Sequence, residues 1–307
     1  MRILLLGANG QVGWELQRAL APVGELVALG REGLYGEGNE VLCGDLSRTD
    51  ALRATLERVR PDVIVNAAAY TAVDRAESEA DLAHAVNAAA PAMLAGWAAE
   101  QGALLVHYST DYVFDGRGDA PWREEDATAP LSVYGRTKLD GERAIIASGA
   151  RHLVFRTSWV YAARGGNFAR TMLRLGAERE RLTVVADQIG APTGADLIAD
   201  VTAHALRVVR ADASRAGLYH LAAAGTTSWR EYACQVFDEA RALGVALAVN
   251  EVAPIATADW PTPATRPLNS RLDTRRLRDA FGLVLPDWRA GVSRMVAEIV
   301  EPRIGAG

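Results

Sequence analysis

Ile3-Leu4-Leu5-Leu6-Gly7-Ala8-Asn9-Gly10-Gln11-Val12-Gly13 is the stretch whose reading settles the fold. Four apolar residues in succession read as a strand buried on both faces of a parallel sheet. Trp14 to Leu20 then carry apolar residues at helical spacing. Strand, glycine loop and helix, in that order, form a turn that can cradle a phosphate. Gly7 allows the tight turn, Gly10 lets backbone approach a pyrophosphate, and Gly13 permits close packing of helix on strand. Gln11 and Val12 open the helix, whose N-terminus meets the phosphate charge. The spacing is Gly-x-x-Gly-x-x-Gly rather than the commoner Gly-x-Gly-x-x-Gly, so the flanking strand and helix carry the reading against a turn that holds no ligand.

Outward from this stretch, strands and helices alternate. Leu26-Val27-Ala28-Leu29 reads as a second strand, with Gly30 and Arg31 where an NAD site would carry an acidic residue. Arg31 can face a 2′-phosphate or stand as a surface arginine. Val41-Leu42-Cys43 reads as a third strand, ending in Gly44-Asp45-Leu46, and a helix over 50–60 stops at Pro61. Val63-Ile64-Val65 is a fourth strand, entering the turn Asn66-Ala67-Ala68-Ala69-Tyr70-Thr71, small enough for a cofactor to lie against. A helix over 82–100 follows. The fifth strand, residues 104–108, delivers Ser109, Thr110 and Asp111 to its carboxyl end, the edge where open parallel sheets bind ligands. A sixth strand, Leu153-Val154-Phe155, runs into Trp159. This alternation specifies an α/β fold, a doubly wound parallel Rossmann sheet.

After Gly165 the alternation loosens. Helices are expected over 167–176, 196–210 and 228–243, strands over 182–185 and 218–221, and an extended piece over 247–252. The Pro-rich segment 254–267 reads as an ordered loop, and short helices over 273–281 and 287–299 close the chain. Residues 1–165 are therefore read as a dinucleotide-binding domain. Residues 166–307 are read as a smaller, mainly substrate-binding lobe with some segments returning to the sheet, and the active site lies between.

Composition narrows the classes. With 307 residues and 50% apolar content the chain can bury a sizeable core. A net charge of −5 gives no electrostatic footprint for nucleic acid or an acidic membrane. The two cysteines, Cys43 and Cys234, form no disulfide framework or zinc spacing and read as buried thiols. His84, His107, His152, His204 and His220 show no metal spacing and read as structural. With no secretory or membrane-spanning segment evident, the sequence reads as cytosolic.

The chemistry is carried by Ser132-Val133-Tyr134-Gly135-Arg136-Thr137-Lys138. If Ser132 caps a helix, Tyr134 and Lys138 lie four apart on one face. A cation beside a phenol favours the phenolate and brings the hydroxyl toward the range where it exchanges a proton at neutral pH. An isolated Tyr-x-x-x-Lys is more often an ordinary amphipathic face. Ser109 and Thr110 upstream change that balance.

With the glycine loop, Ser109-Thr110 and Tyr134-Lys138 in this order, the sequence resembles the extended short-chain dehydrogenases/reductases. Residues 10–16, 65–74, 109–116 and Arg266-Pro267-Leu268-Asn269-Ser270 further resemble the dTDP-4-dehydrorhamnose reductase family over nearly the whole chain. That resemblance implies reduction of the C4 ketone of a dTDP-sugar by NADPH, with NADH allowed. It implies that Thr110, Tyr134 and Lys138 are catalytic: Tyr134 the proton donor, Lys138 holding the nicotinamide ribose and depressing the phenol pKa, Thr110 orienting the substrate oxygen. It places Gly10, Gln11 and Val12 at the pyrophosphate, Asp45 and Leu46 by the adenine, and Ala69, Tyr70 and Thr71 along the cofactor. Thr110, Asp111 and Trp159 would line the sugar nucleotide. Some relatives hold Mg2+ between subunits, which makes Glu15 a candidate ligand with Asp196 as companion and allows a homodimer. The alternatives are an epimerase or dehydratase of the same superfamily and a non-catalytic regulatory subunit on this fold. A dehydratase would follow the Thr with Asp-Glu, whereas Tyr112 follows Asp111 here.

Overall fold

The structure is a computed structural model that describes residues 1–35 and 41–304. Six strands form its central sheet: β1 (Arg2–Leu6), β2 (Glu25–Leu29), β3 (Val63–Asn66), β4 (Leu104–Thr110), β5 (His152–Thr157) and β6 (Gly217–His220). Their order is β6-β5-β4-β3-β1-β2, and every pairing is parallel. The strand order reverses between β1 and β3, so a crevice opens there at the carboxyl ends of the strands. The glycine loop leaves β1 into that crevice.

Both faces of the sheet are covered, which is why its strands read as continuous apolar runs. Ile3 and Leu5 of β1 point into one core with Leu16 and Leu20 of the Gln11–Leu20 helix and Ile198, Val201 and Ala205 of the Ala195–Ala211 helix. Leu4 and Leu6 point the other way, into a core with Leu52, Leu56, Leu94 and Trp97. A separate cluster gathers Tyr161, Tyr232, Trp288, Val292 and Val296 beneath the Trp229–Ala242 and Trp288–Ile304 helices.

Several expectations shift. Val41–Leu42 does not join the sheet as its third strand; it pairs antiparallel with Leu34–Tyr35. So short a run satisfies its backbone groups with a near neighbour in sequence more readily than at a distant sheet edge. Residues 218–221, expected merely as a strand after the alternation, supply the sheet's edge strand β6. Pro254 lies inside a strand, Glu251–Ile255, paired in parallel with Arg181–Val185. That ribbon has only two strands, so a missing N–H is tolerated. The expected helix over 82–100 starts at Ala80 and contains a π turn, Ala85–Ala89. Cys43 is buried, but Cys234 only partly so. Among the described residues no helix is long and apolar enough to cross a membrane.

Candidate active site

The glycine loop is built by steric exclusion. Gly7 takes φ +82, and a Cβ on it would stand 2.6 Å from the Ala68 nitrogen. A Cβ on Gly13 would come within 2.0 Å of the Gly7 carbonyl oxygen, so helix and turn touch backbone to backbone. Gly10 donates its N–H to the Gly7 carbonyl at 2.9 Å and starts the Gln11–Leu20 helix with no side-chain cap and no acidic residue in the first turn. The free N–H groups of that turn therefore meet a cleft of about 270 Å³ lined by Asn9, Gly10, Gln11, Trp14, Arg164 and Gly165. These residues fit the pyrophosphate of a nicotinamide dinucleotide. A larger cleft, about 470 Å³, opens beside Arg60, Arg151 and Arg210 near the amino ends of β1, β3 and β4, away from this site.

Around the loop lie the other expected cofactor residues. Arg31 is exposed one residue beyond Gly30, whose own Cβ would strike the Asn9 side chain at 2.4 Å. Gly44 packs as closely on the Gly30 carbonyl and so brings Asp45 and Leu46 to the end of β2. Leu46 is buried among Leu6 and Leu29, and Asp45 accepts bonds from Ser47. Ala69, Tyr70 and Thr71 leave β3 beside the loop. The side chain of Asn87, in the π turn, holds Tyr70 at both backbone groups, at 2.9 and 3.0 Å.

The helix predicted at Ser132 forms over Val133–Ala147, with the Ser132 hydroxyl accepting the Gly135 N–H. It sets Tyr134 beside Thr110 and Asp111 at the carboxyl end of β4. Tyr134 is partly buried, with Tyr112 edge-on at 5.5 Å. Burial pushes its phenol up to about 12; the Asp111 charge adds to this, and a hydrogen bond with Thr110 opposes it. The expected depression by Lys138 is therefore not seen. Lys138 Nζ is turned instead to the Tyr108 carbonyl at 2.6 Å and to His107 Nε2 at 3.2 Å. Its own pKa is lowered by burial to about 8.

Asp111 is buried, and its carboxyl is raised to about 6 by desolvation against the opposing pull of the Ser270 and Thr110 hydroxyls. Geometrically, one oxygen takes the Thr110 hydroxyl at 3.1 Å, the Ser270 hydroxyl lies near the carboxyl without a well-formed bond to it, and the other oxygen, Oδ2, is buried with no partner. Trp159 holds a left-handed backbone, φ +49, and stacks on Trp229 at 3.8 Å. So strained a conformation in a bulky residue points to a functional constraint. Gly190 makes room for its ring, since a Cβ there would lie 2.7 Å from the indole and 3.1 Å from Ser270. Ser270 thus joins Trp159 to Asp111. The segment that carries it is tied down by Arg266 to Asp74 at 2.8 Å and by Asn269 to the Ala120 carbonyl at 2.8 Å.

The magnesium expectation finds no support. Glu15 faces Arg18 and Asp196 faces Arg294, so both carboxylates already have cationic neighbours. Among the described residues no group of three or more His, Cys, Asp and Glu side chains is placed to hold a metal. His107, read from the sequence as structural, and Asn66, read only as part of a turn, lie in contact beside Lys138, and the buried Ser109–Glu142–Arg156 network behind the helix was not foreseen. A histidine and an acid inside apolar elements were the available signal.

The chain matches, over residues 1–301, the family described as RmlD substrate binding domain. It is 57% identical to a dTDP-4-dehydrorhamnose reductase of Shigella flexneri, across 97% of this chain and 98% of the relative. The enzyme of that name from Escherichia coli (strain K12) is 56% identical over the same shares, 97% and 98%. A solved dTDP-4-dehydrorhamnose reductase from Clostridium acetobutylicum superposes with a TM-score of 0.86 at 35% identity, covering 96% of this chain and 98% of that one. Another, from Bacillus anthracis in complex with NADP, gives 0.85 at 34%, covering 97% and 99%.

Proposed function

The chain belongs to the dTDP-4-dehydrorhamnose reductase family, and from that membership we propose how its residues divide the work of the reaction. The protein is an NAD(P)H-dependent oxidoreductase that reduces the C4 ketone of dTDP-4-dehydro-L-rhamnose to dTDP-L-rhamnose. When bound, the reduced nicotinamide supplies the hydride. Tyr134 gives its proton to the ketone oxygen as charge develops there. A phenol pushed up to about 12 keeps that proton through the neutral range. Thr110 orients the oxygen. Asp111 Oδ2, buried and without a partner, accepts from a hydroxyl of the nucleotide sugar, and Trp159 offers the sugar an apolar face.

The glycine loop through Gly7, Gly10, Gln11, Val12 and Gly13 receives the pyrophosphate, Ala69, Tyr70 and Thr71 flank the cofactor, and Asp45 and Leu46 bound the adenine side. Lys138 meets the nicotinamide ribose. Arg31, exposed with no acidic residue at the adjoining Gly30, faces a 2′-phosphate and favours NADPH over NADH. The observation that carries this reading is the convergence of Thr110, Asp111 and Tyr134 at the carboxyl end of β4. The test is oxidation of NADPH with the ketosugar made in situ, followed by product identification. One NADPH consumed per dTDP-L-rhamnose formed supports it, and turnover without net NADPH loss would point to an epimerase instead. Arg31→Ala should weaken NADPH at least ~10-fold and NADH much less; equal losses would remove Arg31 from the 2′-phosphate.

A further inference from the structure

The cleft over the glycine loop is walled on its outer side by residues 162–166, a loop fixed from both ends. Asn167 Nδ2 donates to the Ala162 carbonyl at 2.6 Å and to Gln11 Oε1 at 3.0 Å, which ties the loop to the first residue of the Gln11–Leu20 helix. From the following helix, Phe168–Glu178, Arg170 Nη1 donates to the Ala163 carbonyl, and Gly165 turns the chain with φ +73. Held in this way, the loop sets Arg164 over Trp14, its guanidinium carbon 3.8 Å from the ring centroid.

That placement leaves the donors of Arg164 unspent. A guanidinium stacks on a ring through its face, while its N–H groups all lie in its plane and point past the ring edge. Among the described residues Arg164 has no carboxylate partner and no hydrogen bond; its contact is the Trp14 ring. Glu15, next to Trp14 in the chain, faces Arg18 instead. The side chains that line the cleft, Asn9, Gln11, Trp14 and Arg164, include no carboxylate. An unpaired cation thus stands beside the positive end of a helix that has no side-chain cap and no acid in its first turn. Two like charges so placed repel until an anion lies between them.

We propose that Arg164 closes the cofactor site by pairing with the pyrophosphate of the nicotinamide dinucleotide, and that Trp14 is the positioning residue that holds its guanidinium flat over the glycine loop. The proposal rests on the reading of that loop as the cofactor site. The phosphate oxygens then meet backbone N–H groups on one side and a planar, doubly donating cation on the other. Arg164 acts on a group that NADPH and NADH share, so it grips both alike, whereas Arg31 sorts one from the other.

The test is cofactor binding to the whole protein without substrate, by calorimetry. Arg164→Met keeps an apolar stem on Trp14 and removes the charge, and it should weaken NADPH and NADH alike by at least ~10-fold. Adenosine 2′-monophosphate, which has no pyrophosphate, and the product dTDP-L-rhamnose should bind the variant as they bind wild type. The melting temperature should stay where it is, because Arg164 is exposed. Added salt should erode NADPH affinity less steeply in the variant than in wild type. Trp14→Leu should lose part of the same affinity, and Arg164→Met should cost less in that background, since the two side chains act as a unit. Unchanged cofactor affinity in the folded Arg164→Met variant, a loss confined to NADPH, or a loss confined to dTDP-L-rhamnose overturns the assignment of Arg164. Full additivity of the two changes removes Trp14 from its role. Failure of wild type to bind NADPH would instead strike the cofactor reading itself.

Discussion

At Tyr134 two influences compete, and burial wins. The sequence places a cation four residues away, yet the phenol stands above its ordinary value. A reductase needs the protonated form at the start, so this direction serves the reaction. Tyr134→Phe removes the donor and should cut turnover by at least ~100-fold while NADPH still binds, as checked by steady-state rates beside fluorescence titration of the cofactor. Asp111 gives a second prediction. Its carboxyl is raised to about 6, so between pH ~4 and ~6 the folded protein holds a proton that the unfolded chain has released. The associated stability is complete below the unfolded value and is lost as pH rises through about 6. A shift from 3.8 to about 6 corresponds to roughly 3 kcal/mol at most. Urea unfolding at pH 5 and pH 8 should therefore show wild type losing up to about 1.4 kcal/mol relative to Asp111→Asn, which has no such proton to lose, the rest of the loss falling below pH 5. The identity of these residues was legible in the sequence; their ionisation was not, because it depends on which strand lies behind the helix. His107 shows this most clearly, since strand parity alone gives it no hint of facing Lys138.

At the scale of elements, the strand, glycine loop and opening helix were legible because each glycine answers a local steric demand. Gly13→Ala would drive a methyl to 2.0 Å from the Gly7 carbonyl. The helix must then move off the strand, and NADPH affinity should fall at least ~10-fold, with a lowered melting temperature. The cap at Ser132 was equally legible, whereas Ser228 was read only as the first residue of a helix. Ser132 and Ser228 both accept the N3 amide, and Ser228 forms a full capping box with Glu231. Ser228→Ala should cost about 1 kcal/mol in urea unfolding and leave the turnover of the folded enzyme intact. Less was legible at Val41–Leu42, where a short apolar run gives no clue whether its partner is near or far. The positive φ of Trp159 was not legible at all, because it arises from the Trp229 ring and the hollow at Gly190, both distant in sequence.

Across the whole molecule, one buried polar chain ties the catalytic helix to the far edge of the sheet. Glu142 grips Arg156 with both oxygens, Arg156 reaches the Glu124 carbonyl at 3.3 Å, and Glu124 accepts the His220 N–H of β6 at 2.9 Å. Glu142→Ala would leave a guanidinium 4% exposed with no counter-charge, at a cost of about 3–5 kcal/mol measurable by urea unfolding. Alternation in the first half of the sequence announced the layered sheet, but not that its last strand would arrive from residues 217–220. That late arrival joins the chain's two stretches as a clasp joins a belt. A fragment ended at residue 165 would present β5 as a bare row of unpaired backbone groups, ready to capture the same row on another copy. Any exchange of the later stretch for a foreign one must bring its own closing strand, so new sugar specificities on this scaffold are expected to come through loop substitutions rather than wholesale replacement.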